Sequence, residues 1–169
     1  MALSSPAGRA ARAIVRLSGP GALRIAAQLF TEETGRSLAE LPGFSCAAGQ
    51  VLAQRLPCRL YLMRGPRSYT REDVVELHVP GSPLVAELVL EAALDSGARL
   101  AGPGEFTRRA LENGRISADQ AEAVISLIRA RSRAELTAAA DQLAGSRGRD
   151  IAAWRERAAL ELKRWMKDW

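Results

Sequence analysis

The apolar pattern of this chain changes character once, at Ile116, and that change limits the folds open to it. Upstream, short strand-like runs are mixed with short helical ones. "RAIVRLSG" (12–19) alternates with a period of two, placing Ala13, Val15 and Leu17 on one face and Ile14, Arg16 and Ser18 on the other. Ser18, Gly19 and Pro20 end it, and "PGALRIAAQLF" has the spacing of a short helix entered through a proline. Residues 44–53 and 58–64 read as two strands, "GPRS" as the turn before another strand, and 83–97 as a helix stopped by Gly97. A short strand "ARLA" (98–101) and one or two helical turns in "GPGEFTRRALENG" complete this half. The strands do not alternate strictly with crossover helices, so an α+β domain is expected over 1–116, with a small mixed sheet and flanking helices.

From residue 117 onward the spacing is helical alone. Ser117 and Gln120 fit a capping box, and Ala121, Val124, Ile125, Ile128, Leu136, Ala140 and Leu143 predict one helix running to Gly145. Asp150 can cap a second helix with a stripe of Ile151, Trp154, Ala158, Leu162, Trp165 and Trp169. Joined by "AGSRGR", the two are expected to form a C-terminal helical hairpin over 117–169. Its tryptophans suit either a core within this chain or a docking surface for another.

Composition narrows the function classes. With 47 % hydrophobic and 25 % charged residues the 169-residue chain is far from disorder, but much of the apolar share is alanine, so burial is expected to lean partly on oligomerisation or docking. No run of about 18 apolar residues is present, and the first residues lack the apolar stretch of a secretory leader. A soluble cytoplasmic protein without membrane attachment is expected. Cys46 and Cys58 are expected to be reduced, and two cysteines with one histidine make a zinc site an unpromising reading. The net charge of +5 raises the question of nucleic acid. It is spread thinly: 13 Lys+Arg face 11 Asp+Glu in residues 1–114, and 11 face 8 in 115–169. Arg129, Arg131 and Arg133 spread around a helix, which favours a solvated surface over a direct RNA contact.

The candidate chemistry sits in "VVELHVP" (74–80). Alternation puts Val75, Leu77 and Val79 on one face and Val74, Glu76 and His78, the one histidine, on the other. A carboxylate half-buried in a sheet needs a partner, because desolvating it alone is costly. There is no G-x-x-x-x-G-K-[ST] phosphate loop and no G-x-S-x-G nucleophile turn. What remains is charge on ordered elements: Arg16 in one strand, Glu76 in another, Arg115 just after "ENG". A carboxylate accepts two parallel hydrogen bonds, so Glu76 suits an Arg16 fork, a heterocycle presenting an N–H beside an NH₂, or plain solvent.

"PRSYTREDVVELHVPGSP" and "GARLAGPGEFTRRALENGRISADQAEAVISLIRARS", supported by "PAGRAARAIVRLSGPGAL", resemble the N-terminal part of the MnmE or TrmE family of tRNA-modification GTPases over residues 4–145. The resemblance implies a folate-binding α+β module, akin to that of the glycine-cleavage aminomethyltransferase, that dimerises with each partner supplying half. It also implies that Arg16, Glu76 and Arg115 bind a tetrahydrofolate derivative, 5-formyl or 5,10-methylene, with no nucleotide and no metal. A reduced pterin offers N3–H and its 2-amino group side by side to Glu76, while the arginines serve the ring carbonyl or the glutamate tail. A homodimer follows, with a flavoprotein or a separate GTPase met through the C-terminal helix, and with tRNA contacted indirectly. No catalytic residue is assigned and no GTPase activity is expected, since the family's GTPase domain has no counterpart in this sequence. The alternative is a dimerisation module or truncated remnant that has lost the ligand. The family's lysine is Arg115 here, its "SYTG" reads "SYTR" with Arg71, its opening glycines read "AARA", and its "HCHGG"-like turn reads "HVPGS".

Overall fold

The structure, a computed structural model, describes residues 1–6 and 8–145. It forms two compact units, Met1–Arg115 and a second beginning at Ile116. In the first, six strands make one sheet: β1 Ala2–Leu3, β2 Arg12–Ser18, β3 Phe30–Glu32, β4 Phe44–Val51, β5 Leu56–Met63 and β6 Val74–Pro80. Their order is β1-β2-β6-β5-β4-β3. Every pairing is antiparallel, so the α+β class stands while the sheet is not mixed. Three helices accompany it, α1 Ala22–Leu29, α2 Pro83–Asp95 and α3 Glu105–Glu112.

Period-two alternation sorts the sheet's residues as the sequence predicts. Val15, Leu17, Val75, Leu77, Leu60 and Leu62 face inward and are at most 2 % exposed, beneath Ile25, Ala26 and Leu29 of α1 and Ala86, Val89 and Ala93 of α2. Helix α2 starts with Pro83 in its first turn, where a missing N–H costs nothing, and ends just before Gly97, whose φ of +92° suits only glycine well. The short edge strand β3 lies so close to β4 that a Cβ on Gly49 would stand 2.2 Å from the Thr31 carbonyl and 2.5 Å from the Phe30 ring. Only a glycine admits that approach.

One local expectation fails in this unit, and two short strands escape the reading of the sequence. Residues 98–101 form no strand; their backbone is tied individually, Ala98 N–H to the Ala93 carbonyl and Ala101 N–H to that of Met1. The edge strands β1 and β3 carry too few residues to show a period. The cysteines are free, as expected: Cys46 is exposed and Cys58 buried, on opposite faces of neighbouring strands. Burial pushes the Cys58 thiol up to about 12, against a smaller opposing effect of a backbone hydrogen bond at His78.

The second unit corrects a larger expectation. Instead of one helix to Gly145 there are two, α4 Ala118–Arg129 and α5 Arg133–Leu143. The capping box at Ser117 and Gln120 is present. The chain breaks at Ala130, because Ser132 accepts the Glu135 N–H at 3.2 Å while Glu135 accepts the Arg131 N–H at 2.8 Å. Ser-Arg-Ala-Glu is itself a helix-start signal that the long apolar stripe had masked. The helices pair antiparallel: Gln120 near the start of α4 donates to the Leu143 carbonyl, and Gln142 near the end of α5 to that of Asp119. Ala123 and Ala139 are buried. The hairpin therefore closes within 117–145, and the expected second helix with Trp154, Trp165 and Trp169 lies outside the described residues.

Candidate functional site

The register of the sheet brings three distant residues into one row. Arg16 of β2 lies opposite Glu76 of β6, which lies opposite Tyr61 of β5, all on the face turned away from α1 and α2. Arg16 donates from Nε to Glu76 Oε1 at 2.8 Å, with Nη2 2.6 Å from the same oxygen. His78 Nε2 bonds Oε2 at 3.1 Å, and its ring rests against Tyr61 with centroids 4.5 Å apart. Arg16 also stacks over Phe106 of α3, 5.5 Å from the ring centre. Burial is the largest influence on the Glu76 carboxyl and pushes its pKa up. The hydrogen bonds from His78 and Arg16, with their charge, outweigh that push, so the pKa lies below the usual carboxylate value and Glu76 stays anionic.

The internal Arg16–Glu76 pair anticipated as one of three readings is thus present, and it holds a charged carboxylate in fixed orientation. His78 is left with a buried Nδ1 that has no hydrogen-bond partner. The same ring lines a hollow of about 820 Å³ that also touches Arg12, Arg55, Arg59 and Gln50.

A second charged group stands where α3 meets the sheet. Ser18, the last residue of β2, bonds Thr70 at 2.7 Å and Glu72 at 3.3 Å; Arg109 bridges Glu72 at 2.9 Å and Glu105 at 2.7 Å; and Arg99 completes the chain at 2.6 Å. Glu105 is 7 % exposed. Its carboxyl is held far below the ordinary range, first by Arg99, then by the Gly102 N–H and Arg109, against the push of burial. A folded-state pKa below the unfolded value of about 4.3 means that Glu105 contributes stability present above that pH and lost as pH falls. Glu32, lowered to about 2 by the Thr34 hydroxyl and by Arg36, acts in the same direction. Urea denaturation of Glu105→Gln is expected to show a flatter loss of stability between about pH 4 and pH 2 than the wild type. An unchanged slope would mean that Glu105 titrates as in the unfolded chain.

Arg115 is placed elsewhere, in a smaller hollow lined by Pro66, Arg67 and Arg71. Asn113 of "ENG" donates to the Thr70 carbonyl at 2.7 Å, which fastens that segment to "SYTR". Ser68 and Thr70 are at most 2 % exposed, so the serine and threonine of "SYTR" are structural pins of this loop.

Residues 1–115 match the family described as GTP-binding protein TrmE N-terminus. The chain belongs to that family. A tRNA modification GTPase MnmE of Symbiobacterium thermophilum is 46 % identical to it over 160 residues, covering 92 % of this chain and 35 % of the relative. The protein of that name from Moorella thermoacetica is 44 % identical over 170 residues, covering 95 % and 37 %, and that from Carboxydothermus hydrogenoformans 42 % over 164, covering 92 % and 35 %. The chain spans about a third of the length of the curated relatives it matches. For this TrmE N-terminal unit, reading the sequence found Arg16, Glu76 and His78 but not Tyr61, Phe106 or the Glu72–Arg109–Glu105 chain. Only Glu105 and Arg109 carried a local signal, their spacing of four on a helix. Among the described residues no cluster of His, Cys, Asp or Glu is placed to hold a metal, and no helix is long and apolar enough to cross a membrane.

Proposed function

We propose that this chain is a cytoplasmic tetrahydrofolate-binding module acting in tRNA wobble-uridine modification, with no GTPase activity within these 169 residues. The observation that carries the reading is Glu76, kept anionic and oriented by Arg16 and His78 on the outer face of the sheet. A carboxylate has about four acceptor positions; both Arg16 nitrogens reach Oε1 and His78 alone reaches Oε2. A reduced pterin presenting N3–H and its 2-amino group would take the remaining acceptor position of Oε2 and displace part of the Arg16 fork from Oε1. The unpartnered Nδ1 of His78, at the edge of the adjoining hollow, also suits a polar heterocycle. Bound there, the folate would supply a one-carbon unit; the protein's part is to bind, orient and shield it.

The module works as a homodimer with the pocket near the interface, reached by Arg16, Glu76 and Arg115. Exposed Phe44 and Cys46 on the outer face are consistent with a second subunit covering it. A flavoprotein and a GTPase complete the chemistry, and tRNA is met through them. Calorimetric titration with 5-formyl- and 5,10-methylenetetrahydrofolate, alongside light scattering, tests this: folate should bind a dimer and GTP should not bind. A confirmed dimer that takes neither folate would leave Glu76 as a structural acid and the chain as a dimerisation unit, and micromolar GTP binding would sink the rest.

A further inference from the structure

Three arginines of the first unit converge, and among the described residues no carboxylate pairs with any of them. Arg67, Arg71 and Arg115, with Pro66, line a hollow of about 410 Å³, and all three are exposed. The acids closest in sequence make other contacts: Glu72 takes Arg109 and Ser18, Asp73 accepts the Gly65 N–H at 3.0 Å beside the hollow, and Glu112 stands 3.8 Å from Arg108. Arg71 holds a φ of +59°, a left-handed conformation that side-chain-bearing residues seldom adopt. Its guanidinium reaches back along the "ENG" segment, with Nη1 4.0 Å from where a Cβ on Gly114 would stand, and so approaches Arg115. Like charges gathered on a backbone that disfavours them point to an anion that repays the arrangement.

The position of the hollow says which anion. Ser18, two residues along β2 from Arg16 and so roughly 7 Å away, bonds Thr70; Arg71 follows Thr70, and Asn113 ties Arg115's segment to the same carbonyl. The arginines thus lie past one end of the Arg16–Glu76 pair, in reach of the tail of a ligand whose ring sits on Glu76. We infer that Arg67 and Arg71 join Arg115 in gripping the successive carboxylates of a γ-linked polyglutamate tail, making this chain selective for polyglutamylated folate. The inference rests on the folate reading above and adds the tail length to it. Guanidinium forks suit spaced carboxylates, each taking two parallel hydrogen bonds.

Titration of wild type, Arg71→Gly and Arg67→Ala with 5-formyltetrahydrofolate in monoglutamate and triglutamate forms tests it. Wild type should bind the triglutamate at least about tenfold more tightly, a gain that shrinks as salt is raised. Arg71→Gly, which relieves the strained backbone and so should fold, should bind the monoglutamate as wild type does and lose most of the gain; Arg67→Ala should lose part of it. Equal affinity of wild type for the two forms, or a full gain retained in Arg71→Gly, would overturn this inference alone. Binding of neither form would overturn the folate reading and this inference with it.

Discussion

Glu76→Gln is expected to weaken binding of 5-formyltetrahydrofolate about tenfold to a hundredfold while leaving the sheet folded. The substitution keeps the shape of the side chain and removes its charge. One acceptor oxygen becomes an NH₂; pointed at the Arg16 guanidinium or at the ligand's own donors it is a donor facing a donor, and pointed at His78 it is tolerated only where Nε2 accepts. In every case the ligand faces an uncharged amide in place of a carboxylate. Losing a hydrogen bond to a charged group typically costs about 1.5–3 kcal/mol, which sets the range. Arg16 is about a third exposed on its side chain, so it can turn to solvent and spare the fold most of the loss. A thermal melt separates the two effects. Unchanged folate affinity in a folded Glu76→Gln protein would return Glu76 to the role of a structural ion pair.

Leu77→Ala should lower the unfolding free energy by about 2–5 kcal/mol, the usual cost of emptying a leucine site in a packed core. Leu77 is fully buried on β6, with Val15 of β2 on one side and Leu60 of β5 on the other. Backbone hydrogen bonds on both edges of β6 prevent the strand from moving in to fill the space. Against a total of about 5–15 kcal/mol for an ordinary domain, this is a large fraction. Phe44→Ala at the outer face, 59 % exposed, should change the free energy of the monomer by less than about 1 kcal/mol. Urea denaturation of both variants checks the contrast, and a Leu77→Ala cost below about 1 kcal/mol would mean that the centre of the sheet is not its tightest layer.

The two leucine positions show why faces were readable and neighbours were not. Alternation is a property of consecutive residues, so Leu17 and Leu77 could be assigned inward and Arg16 and Glu76 outward from the chain itself. Which strand lies beside which depends on pairing across tens of residues. Nothing local in "RAIVRLSG" says that β2 meets β6 antiparallel, or that Arg16 faces Glu76 instead of a residue two places along. The ion pair was therefore one of three readings until the register settled it. Tyr61 entered the site for the same reason, carried in by the pairing of β5 with β6.

Helix boundaries divide along a similar line. Ser117 and Gln120 announced α4 correctly, because a capping box is made of side chains three residues apart. The same signal at Ser132 and Glu135 lay inside an apolar stripe with helical spacing, and two antiparallel helices preserve such a stripe as well as one long helix does. Local chemistry allowed both outcomes; the packing of Ala123 and Ala139 in a hairpin chose the break.

By itself the sequence determined the α+β class of the first unit, the inward and outward faces of β2 and β6, the start of α4, and the charged residues available for a polar ligand, since each rests on spacing within a few residues. Tertiary structure alone decided that the sheet is antiparallel throughout, that Arg16 meets Glu76, and that Arg67, Arg71 and Arg115 meet in one hollow. Those are contacts between segments up to 60 residues apart, and they exist only once the burial of Leu17, Leu60 and Leu77 against one another has fixed a single register.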